Sequence, residues 1–134
     1  GGYSFEDAKA FLAALSPEGA AFYIDVQHKL DTAYPALLAL TLGWSILRLA
    51  PARWGLWRWL LAATALPGMA FDYWENLNVS EMLKLGASGI TPLMVEAASF
   101  HSQVKAAAST ISMTILLVLL SIWVYRHFRR RGAT

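Results

Sequence analysis

The chain has no cysteine, which excludes disulfides and thiolate-ligated metal centres. Charge is scarce as well: Asp, Glu, Lys and Arg make up 15% of residues, against 57% hydrophobic ones. No charged residue interrupts Ala33 to Leu47 or Ala106 to Tyr125. So apolar a composition excludes an ordinary soluble domain of 134 residues and predicts helices surrounded by lipid. The same gaps give a proton or ion no ionisable steps deep in the apolar runs, which argues against transport across a membrane. Internal repeats and low-complexity tracts are also absent, so a repeat array is excluded.

The charge that is present is sorted by sign. All seven arginines fall in two clusters, Arg48, Arg53 and Arg58, then Arg126, Arg129, Arg130 and Arg131. Each cluster borders an apolar run, and all nine acidic residues lie elsewhere. Excess arginine marks cytoplasmic segments. Both clusters are therefore expected in the cytoplasm and the acids on the outer side. A short basic run beside a membrane helix reads as a topology anchor with attraction to anionic headgroups, not as a nucleic-acid site.

The chain opens on Gly1-Gly2 without an initiator Met, which leaves open residues upstream, including a signal peptide. Ser4 and Asp7 have the spacing of a capping box. Phe5, Ala8, Phe11, Leu12 and Leu15 follow at helical spacing, and residues 4–15 are expected to form an amphipathic helix too short to span, lying on the outer headgroups or on the bundle. Ser16-Pro17-Glu18 starts the next helix, with an N-cap, a proline in the first turn and an acid at the positive end. It is expected to run over 17–49 and to enter lipid near Asp31. The second span is expected over 54–78, kinked at Pro67-Gly68. Trp54, Trp57 and Trp59 form an inner aromatic belt. Asn78 to Thr91 reads as a fraying helix end, with room for one more turn at Ser80 to Leu85, and then a loop. Thr91-Pro92 starts the last helix, expected over 92–128. Its small and polar stripe, Glu96, Ser99, Gln103, Ala107, Thr110 and Thr114, reads as the packing face. His101 and Lys105 fall on the other side.

The expected fold is an all-α integral membrane protein. Residues 1–134 form one three-span helical bundle, with helices projecting beyond the outer leaflet and a short N-terminal amphipathic helix. The expected location is a cell membrane, with the N-terminus outside and the C-terminus cytoplasmic.

Phe71-Asp72-Tyr73-Trp74-Glu75-Asn76 lies where the second span leaves lipid. Asp72, Glu75 and Asn76 are three and four residues apart and share a helix face. Gly68, one turn earlier, permits close approach of another helix. Pro35 removes the N–H that would bond the Asp31 carbonyl, so an extra acceptor is freed beside the Asp31 carboxylate. At roughly 21 Å from Arg58 along a helix, Asp72 is expected level with Asp31. The candidate pocket thus gathers Asp31, Asp72 and Glu75 as acid–base groups, with Gln27, His28, Tyr34, Asn76, Glu96 and Gln103 as ligand-binding groups.

Several carboxylates in a partly dry site require shared protons or a cation. His28-x-x-Asp31 opposite Asp72-x-x-Glu75 is a poor match to carboxylate-bridged metal bundles. No cofactor is required, and a metal, if bound, would be Ca, Mg or Mn by its oxygen ligands. One reading is binding of a lipid headgroup, cation or small ligand. Another is an interfacial enzyme acting on an amphiphile through paired carboxylates. A third is an accessory subunit, with a homo-oligomer or a larger membrane complex as partner. A purely structural role, in which Asp72 and Asn76 join helix ends through Tyr34, Gln103 and the Asp31 carbonyl, stands beside them.

The combination Gln27-x-x-x-Asp31-x-x-Tyr34-Pro35 followed by Asp72-x-x-Glu75-Asn76 resembles small uncharacterised bacterial integral-membrane proteins, over Phe22 to Asn76. The resemblance implies a bacterial inner membrane and no particular activity. Signatures of rhomboid, small multidrug-resistance and zinc-metalloprotease proteins are absent.

Overall fold

The computed structural model describes residues 2–23, 26 and 28–131, with the side chain of His28 left aside. Asp25 and Gln27 lie outside the described residues. The chain is all-helical: α1 Phe5–Ala14, α2 Pro17–Phe22, α3 His28–Leu49, a 3-10 turn Ala52–Trp54, α4 Leu56–Ala63, α5 Ala65–Gly89 and α6 Pro92–Arg131. Local chemistry sets most starts. Ser4 accepts from the Asp7 N–H at 3.2 Å while Asp7 accepts from the Ser4 N–H at 3.1 Å. Ser16 caps Gly19 at 3.1 Å ahead of Pro17, and Thr91 precedes Pro92 in the same way. In each case an orphan amide at the helix start gains an acceptor or, at proline, is absent.

The long helix expected from Pro17 is divided. Its first part ends at Phe22, where the Tyr23 N–H is shared between the carbonyls of Gly19 and Ala20. Tyr23 and Val26 lie in wider π-type turns, before α3 begins at His28. The second helix is also divided, at Thr64 and not at Pro67-Gly68. Proline acts on the turn before it, because Pro67 offers no N–H to the Ala63 carbonyl and its ring crowds that carbonyl. The Thr64 carbonyl at the break accepts from the Ser112 hydroxyl, 2.7 Å away. Beyond residue 78 the expected loop is helix to Gly89. Met82 is buried there against Ile90, Val95, Ala98 and the apolar face of α1, Leu83 is buried beside it in sequence, and that burial holds the turns in place. Gly86 alone departs, at φ 66 and ψ 179.

α5 and α6 make the most extensive contact, and α3 packs on both. The core falls in three layers. Ile46, Ala50, Ala62 and Leu119 close the Arg-rich end. Ala39, Leu42 and Ala65 lie midway. Met82, Ile90, Val95 and Ala98 close the other end, where Phe5, Ala8 and Leu12 of α1 cover them. α1 therefore spends its apolar face on the bundle. Small residues dominate, so the helices lie close. A Cβ on Gly68 would come within 2.9 Å of Ser109 Oγ.

The packing face of α6 is not the stripe expected. Of that stripe Ser99 is buried, but Glu96, Gln103, Ala107, Thr110 and Thr114 are exposed. The buried and half-buried positions include Val95, Ala98, Ser102, Lys105, Ser109, Ser112, Leu116 and Leu119, a 3-4 repeat offset from the expected one. The outward threonines need no partner helix. Thr110 donates to the Ala106 carbonyl at 2.8 Å and Thr114 to the Thr110 carbonyl at 2.7 Å, which satisfies each hydroxyl within its own helix.

Two helices, Lys29–Leu49 and Pro92–Arg131, are long and apolar enough to cross a membrane. Their large apolar side chains mostly face outward, among them Leu37, Leu40 and Trp44 of α3 and Ile111, Leu117 and Val118 of α6.

Candidate functional site

α5 and α6 bring a cation between two acids. Lys105 Nζ pairs with Glu75 Oε2 and lies 3.5 Å from Asp72 Oδ1. The three side chains are 31%, 13% and 16% exposed, so the charges are substantially withdrawn from solvent and each needs the other. This corrects the expectation that Lys105 faces away. Position 105 lies on the inward 3-4 repeat, and its long stem carries the ammonium across to the next helix. His101, also expected outside, packs on α5. It stacks on Trp74 at 5.7 Å between ring centroids and pairs through Nδ1 with the Asn78 amide at 2.9 Å. Phe71 and Phe100 complete this aromatic group.

Asn76 joins α5 to α3. Its amide nitrogen lies 3.3 Å from the Asp31 carbonyl and 3.4 Å from Asp72 Oδ1. The carbonyl that Pro35 leaves without its helical donor thus receives a side-chain one. Tyr73 adds a second tie, with its hydroxyl donating to the Thr32 carbonyl at 2.8 Å. The Asp31 carboxylate is near enough to act electrostatically on Tyr23.

The other expected site residues do not converge here. Tyr34 is 60% exposed. Glu96 is exposed on the outward side of α6. Gln103 is exposed and its amide lies beside Gly2. The offset of the α6 seam accounts for both, since one residue turns a side chain by about 100° around a helix of 3.6 residues per turn. Gln27 and the His28 side chain fall outside the described residues. Among the described residues, no three His, Asp or Glu side chains converge to hold a metal. The group between Asp72 and Glu75 is the Lys105 ammonium.

Beside this cluster, α1, Tyr23 and α5 enclose a cavity of about 360 Å³. Its walls are Ala8, Phe11 and Leu12 on one side and Val79, Met82 and Leu83 on the other, with Asp7, Glu75, Tyr3 and Tyr23 as its polar lining. The Tyr3 hydroxyl is buried and has no hydrogen-bond partner among the described residues. Burial, reinforced by the charge of Glu75 and the neighbouring Tyr23, pushes the Tyr3 phenol up to about 12. Burial also raises Tyr23, with Asp31 and Glu75 adding to it. Both phenols therefore remain neutral donors at physiological pH. The Tyr3 N–H bonds Ser99 Oγ at 3.1 Å, which anchors the chain entering α1 to α6.

Sequence spacing misses Tyr3, Lys105 and Val79. For Tyr3 a signal exists: it directly precedes the capping box, where a hydrophobic residue commonly packs back on the helix. No family model, curated protein or solved structure matches the chain.

Proposed function

We propose that the chain is a small three-span integral membrane protein whose cavity between α1 and α5 binds the polar end of an amphiphile at the outer interface. The membrane reading draws on the outward apolar faces of α3 and α6, which a soluble protein would bury. The middle span is α4 with the first part of α5, ending near Phe71, and the break at Thr64 divides it into two shorter apolar helices. Arginine at one end of the bundle and acids at the other set the orientation: Pro51 and the C-terminus in the cytoplasm, α1 outside.

The observation that carries the binding reading is the cavity itself. Apolar walls lead to two carboxylates and two phenols, and one of those phenols is buried with no partner among the described residues. A buried unpaired hydroxyl costs about 1–3 kcal/mol, which a ligand's polar group offsets. A neutral phenol accepts as well as donates, so both phenols can meet a polar head, and the carboxylates of Glu75 and Asp7 on the lining favour an ammonium over an anion. The partner is thus membrane lipid or a single-chain amphiphile with an amino head.

The test compares a long-chain primary alkylamine with the alkyl sulfate of equal length, by native mass spectrometry from nanodiscs. The amine is expected to be retained and the sulfate not. Val79→Trp fills the cavity and abolishes retention while the protein stays folded by circular dichroism. Equal retention of both head groups, or a Val79→Trp protein that binds like the parent, overturns the reading.

A further inference from the structure

At the opposite end of the bundle, arginines from the two sequence clusters converge. Arg53 on the 3-10 turn and Arg126, Arg129 and Arg130 on the last turns of α6 line a hollow of about 490 Å³. The three α6 residues are spaced i, i+3 and i+4 and so project from one face. No acidic residue follows Glu96 or lies between Asp31 and Asp72, and among the described residues none of the four is ion-paired. Four guanidinium groups around one hollow repel one another, and an anion bound among them relieves that repulsion. Arg126 also lines a second, narrower apolar slot of about 70 Å³ with Leu49, Trp54, Leu119, Ile122 and Trp123.

We propose that this end is a site for an anionic phospholipid bearing two phosphates, with the phosphates held by Arg53, Arg126, Arg129 and Arg130 and the start of an acyl chain in the slot. Guanidinium binds phosphate through two parallel N–H donors, and four such groups exceed what one phosphate monoanion can occupy. The adjoining aromatic and aliphatic slot distinguishes a lipid from free phosphate. Basic hollows between helices at the cytoplasmic face are suited to such headgroups. The inference goes beyond the amphiphile cavity and shares with it only the membrane reading. Arg58 is not part of the site, since it donates to the Leu47 carbonyl at 3.2 Å and closes the end of α3.

A control is built into the chain. Arg48 is exposed and does not line the hollow, so Arg48→Gln removes the same charge as Arg53→Gln from the same end. In nanodiscs with a graded fraction of a diphosphatidyl lipid, thermal stabilisation is expected for the parent and for Arg48→Gln. Arg53→Gln and Arg126→Gln are expected to weaken the lipid about fivefold each, as loss of one basic contact at an anionic surface does. Melting in a purely zwitterionic bilayer shows that each variant folds. Equal weakening by Arg48→Gln and Arg53→Gln would reduce the feature to a diffuse basic anchor and overturn the site. Stabilisation by inorganic diphosphate as large as that by the lipid would overturn the acyl slot. These outcomes are independent of alkylamine retention at the other end.

Discussion

The side-chain amide of Asn76 on α5 donates to the Asp31 carbonyl of α3 across 3.3 Å, the carbonyl that Pro35 deprives of its own helical donor. The pairing predicts a dependence between Asn76 and Pro35, residues of different helices that act on one carbonyl. Asn76→Ala is expected to destabilise by about 1 kcal/mol, the usual net value of a hydrogen bond. In a Pro35→Ala background the new N–H can take the Asp31 carbonyl, and the Asn76→Ala effect is expected to shrink by half or more. Detergent melts of the two single variants and the double variant measure it. Strict additivity would show that the Asn76→Ala effect does not come from the Asp31 carbonyl.

Lys105 of α6 joins Asp72 and Glu75 of α5. Lys105→Met leaves two largely buried carboxylates without their shared countercharge, and a loss of about 1–3 kcal/mol is expected. Neutralising the acids in the same chain, as Lys105→Met with Asp72→Asn and Glu75→Gln, is expected to restore most of it. A lysine directed into water would show a change within about 0.5 kcal/mol. Chemical denaturation in one detergent decides between them.

The part of this site that sequence makes legible is the part set by local chemistry. Proline at position 35 exposes a carbonyl four residues back whatever surrounds it. Asp72, Glu75 and Asn76 share a face through helical spacing alone. Lys105 is different, because its direction depends on which side of α6 meets the bundle. Two stripes offset by one residue compete for that role. On a helix that carries large apolar side chains on its outer side as well, hydrophobicity does not choose between them, and the hydroxyls of Thr110 and Thr114 imitate a packing face while bonding to their own helix. The position of α1 is illegible for a related reason. An amphipathic face suits a headgroup layer and a protein groove equally, and only coordinates place Phe5, Ala8 and Leu12 on Met82 and Val95.

Gly68 meets α6 at Ser109, where an added Cβ would sit 2.9 Å from Oγ and 3.6 Å from the backbone nitrogen. The hydroxyl can turn aside and the backbone cannot. Gly68→Ala is therefore expected to be mild and to be relieved in a Ser109→Ala background. Gly68→Leu pushes the helices apart and is expected to destabilise by about 1–3 kcal/mol with no relief from Ser109→Ala. If Gly68→Leu melted with the parent, the close crossing of α5 and α6 would be disproved.

The docking of α1 is bounded by pH on two sides, and the two limits belong to different residues. Hydrogen bonds from the Ser4 hydroxyl and backbone hold the Asp7 carboxyl below its usual value. A depressed folded value means that stability is present above the unfolded carboxyl's value and is lost as pH falls through the folded one. Tyr3 behaves oppositely. Its phenol is raised from 10.0 to about 12, so its contribution is complete below 10.0 and is lost as pH rises toward about 12. Amide exchange in α1, read against exchange in α6, is expected to be slow between these limits and to quicken beyond each. Ser4→Ala removes the cap, weakens α1 by about 1 kcal/mol and flattens the acid limb only. Tyr3→Phe keeps the ring, discards the unpartnered hydroxyl and flattens the alkaline limb only. An alkaline limb that persisted in Tyr3→Phe would assign it to another group and detach Tyr3 from the buried end of the cavity.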